Sequence, residues 1–126
     1  PPQPTSRAKY VSYFVMSMYS GSQWVFEWQV MDSIGGVTWY PCDTSPDYET
    51  SADTVPPNPS FPDEDLGPFT SHGHDGCWYR AGDDDSVGTM TCPGVDDIYC
   101  EKSPDYNKEF DCSTGPVLVS VLQCYW

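Results

Sequence analysis

The stretch WVFEWQVM at residues 24–31 alternates apolar and polar side chains. Its apolar positions are Trp24, Phe26, Trp28 and Val30. Glu27 and Gln29 lie between them, and because successive side chains of a strand point to opposite faces, the pattern predicts a strand buried on one side. The turn-forming run DSIGG (32–36) and the following VTWYPC (37–42) extend this prediction to a β-hairpin over residues 24–42.

Other segments rich in β-branched and aromatic residues predict further strands. They are YVSYFVMSMY (10–19), GCWYR (76–80), SVGTMTC (86–92), VDDIYC (95–100), EFDC (109–112) and VLVSVLQCYW (117–126). The last is apolar on both faces, with Leu118, Ser120, Leu122 and Cys124 on one of them, which predicts a central strand. Short strands, Gly and Pro turns and no helical period predict an all-β fold, an antiparallel β-sandwich or β-barrel.

The charge of the chain excludes several classes of partner. Its 126 residues include 5 basic and 19 acidic ones, a formal net charge of −14. Phosphate backbones and anionic membrane surfaces are bound through clustered Lys and Arg, so we expect no nucleic-acid partner and no membrane partner. No apolar run approaches the roughly 18 residues that span a bilayer.

Six cysteines predict three disulfides. They are Cys42, Cys77, Cys92, Cys100, Cys112 and Cys124, separated by 35, 15, 8, 12 and 12 residues. Zinc sites usually pair thiolates about two to four residues apart, so this spacing favours disulfides in an oxidising, extracellular compartment. The start PPQPTSRAKY is typical of a mature secreted chain after signal removal. Spacing alone leaves the connectivity open.

Proline and acidic residues set two segments apart. Seven prolines lie between positions 41 and 68, and residues 43–97 hold 13 Asp or Glu against one Arg. Proline disfavours helices and central strands, so we predict a long Pro/Asp-rich surface insertion loop at 43–75. Three prolines in residues 1–9 predict a disordered N-terminal arm. Residues 10–126 are then one β domain stapled by three disulfides.

The order of strands and cysteines resembles the fungal Alternaria major-allergen family, small secreted acidic β-barrels known as allergens and as effectors in plants. The similarity runs through YVSYFVMSMYSGSQWVFEWQVMDSIGGVTWYPCDTS (10–45), CWYR (77–80), SVGTMTCPGVDD (86–97), DIYC (97–100), EFDC (109–112) and VLVSVLQCYW (117–126). The resemblance implies the pairs Cys42–Cys77 and Cys100–Cys112, which leaves Cys92–Cys124. The family's intersubunit cysteine has no counterpart before Cys42, so we expect a monomer or a non-covalent dimer.

Two short segments are candidates for a site. Trp78, Tyr79 and Arg80 flank an acidic turn, and we predict them as an exposed anchor for a partner. Both histidines fall in Ser71-His72-Gly73-His74-Asp75, a segment that suits a solvated loop but also a general base or a metal ligand. The acidic clusters match no Ca²⁺-binding loop, so we expect no metal and no cofactor. These clusters are Asp63-Glu64-Asp65, Asp83-Asp84-Asp85 and Asp96-Asp97. The tryptophans can pack in the core or form a binding platform.

These observations favour a secreted fungal effector-like or allergen-like binding protein, without catalysis, whose partner is a host or extracellular protein or a small ligand. The alternatives are a small secreted hydrolase or ribonuclease that uses residues 72–75, and a structural extracellular protein. A ribonuclease of the small acidic fungal type needs two well-separated histidines, whereas His72 and His74 are two positions apart.

Overall fold

A computed structural model describes residues 9–35 and 39–126 of the chain. Within these ranges the regular structure consists of β-strands and a short 3-10 helix at Pro41–Asp43. The strands are β1 (Lys9–Ser20), β2 (Gln23–Ile34), β3 (Tyr48–Ser51), β4 (Leu66–Ser71), β5 (His74–Arg80), β6 (Thr89–Thr91), β7 (Tyr99–Lys102), β8 (Glu109–Asp111) and β9 (Val117–Tyr125). The predicted all-β fold is confirmed.

The first hairpin joins β1 to β2, with every position paired from Lys9 opposite Ile34 to Ser20 opposite Gln23. Gly21, at a φ of 63°, turns the chain between them. The predicted hairpin over 24–42 is therefore wrong, because the strand at 24–31 returns to the strand before it. Pro41 begins the 3-10 helix, and proline cannot donate a ladder hydrogen bond. Residues 36–38 of the predicted return lie outside the described part.

The larger sheet has the strand order β3-β2-β1-β9-β7, and β8 also pairs with β9. All of these pairings are antiparallel. The prediction of a central strand at 117–126 is confirmed, since β9 has β1 on one side and β7 and β8 on the other. The sheet ends at β3 and at β7, so it does not close into a barrel.

A smaller sheet, β4-β5-β6, packs against the inner face of the larger one. Val11, Tyr13 and Val15 of β1 share the core with Tyr79 of β5, and the Tyr13 and Tyr79 ring centroids lie 5.1 Å apart. Trp28 and Val30 of the quoted stretch point into the same core, as their alternation predicts. The arrangement is a two-layer antiparallel sandwich.

A β-bulge in β9 reverses its facing halfway along. Tyr13 lies opposite Leu122, whereas the next residue, Phe14, lies opposite Ser120, so one residue of β9 is left without a partner in this pairing. Leu122 consequently points into the core between the sheets, and Leu118 packs on the outer face. The prediction that Leu118, Ser120, Leu122 and Cys124 share one face is therefore wrong, since a strict alternation takes no account of an inserted residue.

The predicted number of disulfides is confirmed, but the expected pairs Cys42–Cys77, Cys92–Cys124 and Cys100–Cys112 are wrong. The observed pairs are Cys42–Cys112, Cys77–Cys92 and Cys100–Cys124. Strand pairing explains the difference. Cys100 on β7 lies directly opposite Cys124 on β9, with a Cα–Cα distance of 4.0 Å. Cys77–Cys92 links β5 to the residue after β6, and Cys42–Cys112 ties the 3-10 helix to the end of β8.

The predicted insertion loop at 43–75 contains β3, β4 and the first two residues of β5, so the prediction is wrong for those segments. The Pro56–Pro62 run falls between the strands, where prolines are compatible with the fold. Pro68 lies within β4, at a register shift on an edge strand, a position that tolerates a missing N–H. Lys9, assigned to the N-terminal arm, is the first residue of β1, and residues 1–8 lie outside the described part.

Candidate ligand cleft

The outer face of the larger sheet carries a second, smaller apolar cluster. Its buried members are Phe14, Met16, Met31 and Leu118. Trp39 and Phe110 pack edge-on against the Phe14 ring, with centroid distances of 6.1 and 6.0 Å. Because the Cys42–Cys112 disulfide fastens the 3-10 helix to the end of β8, it holds the segment after Trp39 across this face.

Beside this cluster lies a cleft of about 410 Å³, which we call the outer cleft. Alternate residues of β1 line it, as the two-residue period of a strand requires. Two further groups of residues line its sides, one at the end of β2 and in the following segment, the other in the β7–β8 connection. The lining residues are Tyr10, Ser12, Phe14, Ser33, Ile34, Gly35, Trp39, Pro41, Ser103, Pro104, Asp105, Lys108, Phe110, Ser120 and Gln123.

The bulge in β9 builds one side of this cleft. It turns Ser120 to the outer face, where its hydroxyl donates a 2.7 Å hydrogen bond to the Ser103 hydroxyl. The Ser120 N–H donates to the Lys108 carbonyl, and the Ser120 carbonyl accepts from the Asn107 N–H. These bonds fasten the β7–β8 connection to the central strand, so this side of the cleft is fixed by backbone pairing.

The outer cleft presents neutral polar groups, two of which have no hydrogen-bond partner within the part of the chain that the structure describes. The hydroxyls of Ser12 and Ser33 make no side-chain hydrogen bond there. The Gln123 amide donates to the Glu101 carboxylate at 2.7 Å, which fixes the amide and leaves its carbonyl oxygen as an acceptor. The arrangement suits a ligand with an apolar face for the aromatic rings and a polar edge for the hydroxyls.

The predicted anchor Trp78-Tyr79-Arg80 does not lie in this cleft. Tyr79 is fully buried, and its hydroxyl accepts the Gly88 N–H at 2.7 Å, so the prediction of an exposed Tyr79 is wrong. The two-residue period of β5 explains this, since Cys77 and Tyr79 point inward together. The Arg80 guanidinium lies 4.6 Å from the half-buried Trp78 ring and bonds Asp65 at 3.0 Å.

Ser71 and His72, in the segment predicted as a solvated loop, belong to a structural hydrogen-bond network. The Ser71 hydroxyl and the His72 N–H both donate to the Asp32 carboxylate at 2.7 Å. His72 Nε2 lies 2.9 Å from the Tyr10 carbonyl, which can only accept, so Nε2 carries a proton. A serine nucleophile donates to its histidine base, whereas Ser71 is fully buried and donates to a carboxylate. The network joins the two sheets.

Burial raises the pKa values of two carboxyl groups. Burial raises the pKa of Asp47, which accepts the Asp32 N–H at 2.9 Å beside this network. Burial and the nearby Glu49 carboxylate raise the pKa of Glu27 on the outer face of β2. Neither carboxyl lines the outer cleft, so the cleft has no acid–base pair from these groups.

Two other concave surfaces lie elsewhere. An acidic cleft of about 370 Å³ brings together parts of the predicted acidic clusters, with Asp53, Asp63, Asp84 and Asp85 in its lining. An apolar groove of about 390 Å³ lies beside the exposed Trp24. Over residues 9–35 and 39–126, no group of three or more His, Cys, Asp or Glu is arranged to hold a metal ion.

Comparisons with known proteins returned no matching family model, no matching curated protein and no matching solved structure. The resemblance to the Alternaria allergen family therefore stays a prediction from the quoted residues. No helix in the described ranges is long and apolar enough to cross a membrane.

The outer cleft is not among the sites that the sequence predicts. The signal for it lay in Ser12, Ser120 and Gln123, which are polar positions inside otherwise apolar strands. Such interruptions mark places where a strand face is neither packed core nor plain solvent-facing surface. Ser33 and Trp39 gave no comparable signal, because they join the cleft only through tertiary structure.

Proposed function

We propose that this chain is a secreted, fungal effector-like or allergen-like binding protein that holds its ligand in the outer cleft without catalysis. The observation that carries the proposal is the pair of hydroxyls, Ser12 and Ser33, that find no partner among residues 9–35 and 39–126, in a cleft that Trp39 and Phe110 also line. Its volume of about 410 Å³ falls in the range typical of small-molecule sites, roughly 300–1,000 Å³.

Rigidity supports a recognition role. The cleft lies on the central strands β1 and β9, and its two sides are fixed by the Cys42–Cys112 disulfide and by the Ser120 hydrogen bonds. A preformed site loses little conformational entropy when it binds, which favours affinity. Three disulfides support an oxidising, extracellular compartment.

The proposal is tested by adding a library of small neutral fragments to the ¹⁵N-labelled protein and recording amide shifts. We expect several fragments to shift the amides of Ser12, Ser33 and Ser120. The variant Ser12→Phe fills the cleft and abolishes these shifts, whereas Ser51→Phe, on the exposed edge strand β3, keeps them. Fragments that shift only amides elsewhere, or none at all, would contradict the proposal.

The hydrolase alternative has its own test. His74 and Asp75 are the members of the predicted segment that lie outside the Asp32 network. If the chain is an enzyme at this segment, His74→Ala and Asp75→Asn abolish a hydrolytic activity of the wild type on RNA or ester substrates. Our proposal predicts no such activity in wild type or variants, at concentrations where fragment binding is measured.

A further inference from the structure

The outer cleft selects against charged ligands. Its charged residues are Asp105 and Lys108, which have opposite signs, and the Lys108 ammonium packs 5.1 Å from the Phe110 ring. An anionic ligand meets the field of a molecule with a net charge of −14. For a cationic ligand the lining supplies one carboxylate, Asp105, whose charge Lys108 offsets, and otherwise neutral hydroxyls and an amide.

A purely apolar ligand does not fit either. It would cover the hydroxyls of Ser12 and Ser33 without giving them a partner, and a polar group that is buried without a partner weakens binding. The ligand must instead offer hydroxyls along one edge and C–H groups on a face. Sugar rings combine these two features, and aromatic side chains pack against their C–H faces.

A row of tyrosines continues from the cleft across the sheet. Tyr10 lines the cleft, and its ring stacks on Tyr125 with a centroid distance of 5.3 Å. Tyr99 follows at 6.4 Å from Tyr125, with 55% of its surface exposed. These three residues, the tyrosine row, lie on β1, β9 and β7 at matching register positions. The row offers further aromatic surface to a ligand longer than the cleft.

On this basis, and resting on the proposed function, we infer that the outer cleft binds a neutral oligosaccharide. One sugar unit occupies the cleft, and its hydroxyls form hydrogen bonds with the Ser12 and Ser33 hydroxyls and with the side-chain carbonyl of Gln123. The following units extend over the tyrosine row. The site therefore recognises a segment of a neutral polysaccharide chain rather than a free monosaccharide.

The test uses ¹⁵N-labelled protein titrated with linear tetrasaccharides of known composition. The probes are β-1,4-glucose, β-1,3-glucose, N-acetylglucosamine and mannose tetramers, with a galacturonic acid tetramer as the anionic comparison. We expect at least one neutral tetramer to shift the amides of Ser12, Ser33 and Ser120, and the corresponding dimer to bind at least fivefold more weakly. Binding by the anionic tetramer alone would overturn the inference.

Matched variants locate the contacts. Ser12→Ala combined with Ser33→Ala removes the two hydroxyls with little change in packing, and we expect at least a tenfold loss of affinity for the neutral tetramer. Ser51→Ala, outside the cleft, leaves affinity unchanged. Tyr99→Ala lowers the affinity for the tetramer severalfold but not the affinity for the dimer. Trp24 is an exposed aromatic residue at the apolar groove, and Trp24→Ala changes neither affinity.

The outcomes separate this inference from the proposed function. If neutral fragments bind the outer cleft and no tetramer does, the saccharide inference is wrong and the binding function stands. If a tetramer binds but shifts amides only outside the cleft and the tyrosine row, the inference is also wrong. If neither fragments nor tetramers bind, both proposals fall.

Discussion

Tyr13 of β1 lies in the core between the two sheets. It is fully buried, its ring packs against Tyr79, and its hydroxyl donates to the Met90 sulfur at 3.3 Å. Burial raises the pKa of Tyr13 well above its usual range, and Tyr79 and Asp32 raise it further. Ionising this phenol in the folded state is unfavourable, because burial disfavours its charged form. The folded state therefore loses stability, relative to the unfolded chain, at a pH where the unfolded phenol ionises.

This buried phenol gives a pH prediction. Because the folded pKa of Tyr13 exceeds the unfolded value of about 10, the folded state binds more protons above that pH, and stability falls as the pH rises. Tyr13→Phe removes the Tyr13 part of that dependence, whereas Tyr79 and Tyr106, whose pKa values burial also raises, keep the remainder. The variant also loses about 1 kcal/mol at pH 7 through the lost hydrogen bond. Urea unfolding at pH 7 and at high pH measures both effects.

The exposed Tyr19, with 58% of its surface accessible, provides the control. Tyr19→Phe leaves the alkaline loss of stability unchanged. If Tyr13→Phe lost stability at high pH as steeply as the wild type, Tyr13 would not be the group responsible.

The burial of individual side chains follows in large part from the sequence pattern. Alternation places Trp28 and Val30 in the core, and the same two-residue period in β5 places Tyr79 inside, contrary to the prediction of an exposed anchor. The facing of Ser120 was not readable, because a bulge is decided by which strand lies alongside. The Gln123 amide likewise has its role fixed by Glu101 on a neighbouring strand.

The Cys42–Cys112 disulfide holds the segment that follows Trp39 in place and so fixes one side of the outer cleft. The disulfide joins residues 70 positions apart, against 15 for Cys77–Cys92 in the smaller sheet. A longer closed loop restricts the unfolded chain more, so removal costs about 4 kcal/mol for the first and about 3 kcal/mol for the second in the chain-entropy description.

We therefore predict different local effects for two double variants. Cys42→Ser with Cys112→Ser speeds amide hydrogen exchange in the Trp39–Asp43 segment and weakens ligand binding at the outer cleft. Cys77→Ser with Cys92→Ser also lowers stability but leaves exchange in that segment and ligand binding unchanged. Equal exchange in the two variants would contradict the assignment of Cys42–Cys112 to the cleft.

The strand segments were predictable from alternation and turn residues, whereas their partners were not. Turn residues lie on both sides of β2, at Gly21 before it and at Gly35 and Gly36 after it. The sequence pattern therefore does not decide whether β2 pairs with β1 or with residues 37–42. The disulfides follow from that pairing. Cys100 and Cys124 are bonded because β7 and β9 are neighbours in register, a relation between segments far apart in sequence.

Over the whole molecule, acidity dominates. The chain has nineteen acidic residues and five basic ones, so its negative charges repel one another in the compact state. The Glu27 and Glu49 carboxyls are diagonal neighbours on β2 and β3, and burial together with that neighbour raises the pKa of Glu27. Burial raises the pKa of Asp47 as well.

These raised pKa values predict greater stability in mild acid. Because folded Glu27 and Asp47 bind protons at a higher pH than they do in the unfolded chain, stability rises as the pH falls from 7 toward the unfolded carboxyl values of about 4. Glu27→Gln raises stability at pH 7 by about 0.2–1 kcal/mol, as expected for relief of a like-charged cross-strand pair, and flattens this pH dependence. Urea midpoints between pH 7 and 5 measure it.

Glu64→Gln, at an exposed position, serves as the charge-matched control. It removes one negative charge from the molecule but not the Glu27–Glu49 contact, so the slope of stability against pH stays close to that of the wild type. If both variants changed the slope equally, general charge repulsion rather than this pair would explain it.

The amide shift map of the wild-type protein with neutral tetrasaccharides and fragments tests the central claim, a recognition site at the outer cleft, most directly. We predict shifts that centre on Ser12, Ser33 and Ser120 and vanish in Ser12→Phe. Tetrasaccharides, but not fragments, also shift amides along the tyrosine row. Shifts centred on the apolar groove beside Trp24 or on the acidic cleft, unchanged by Ser12→Phe, would contradict it.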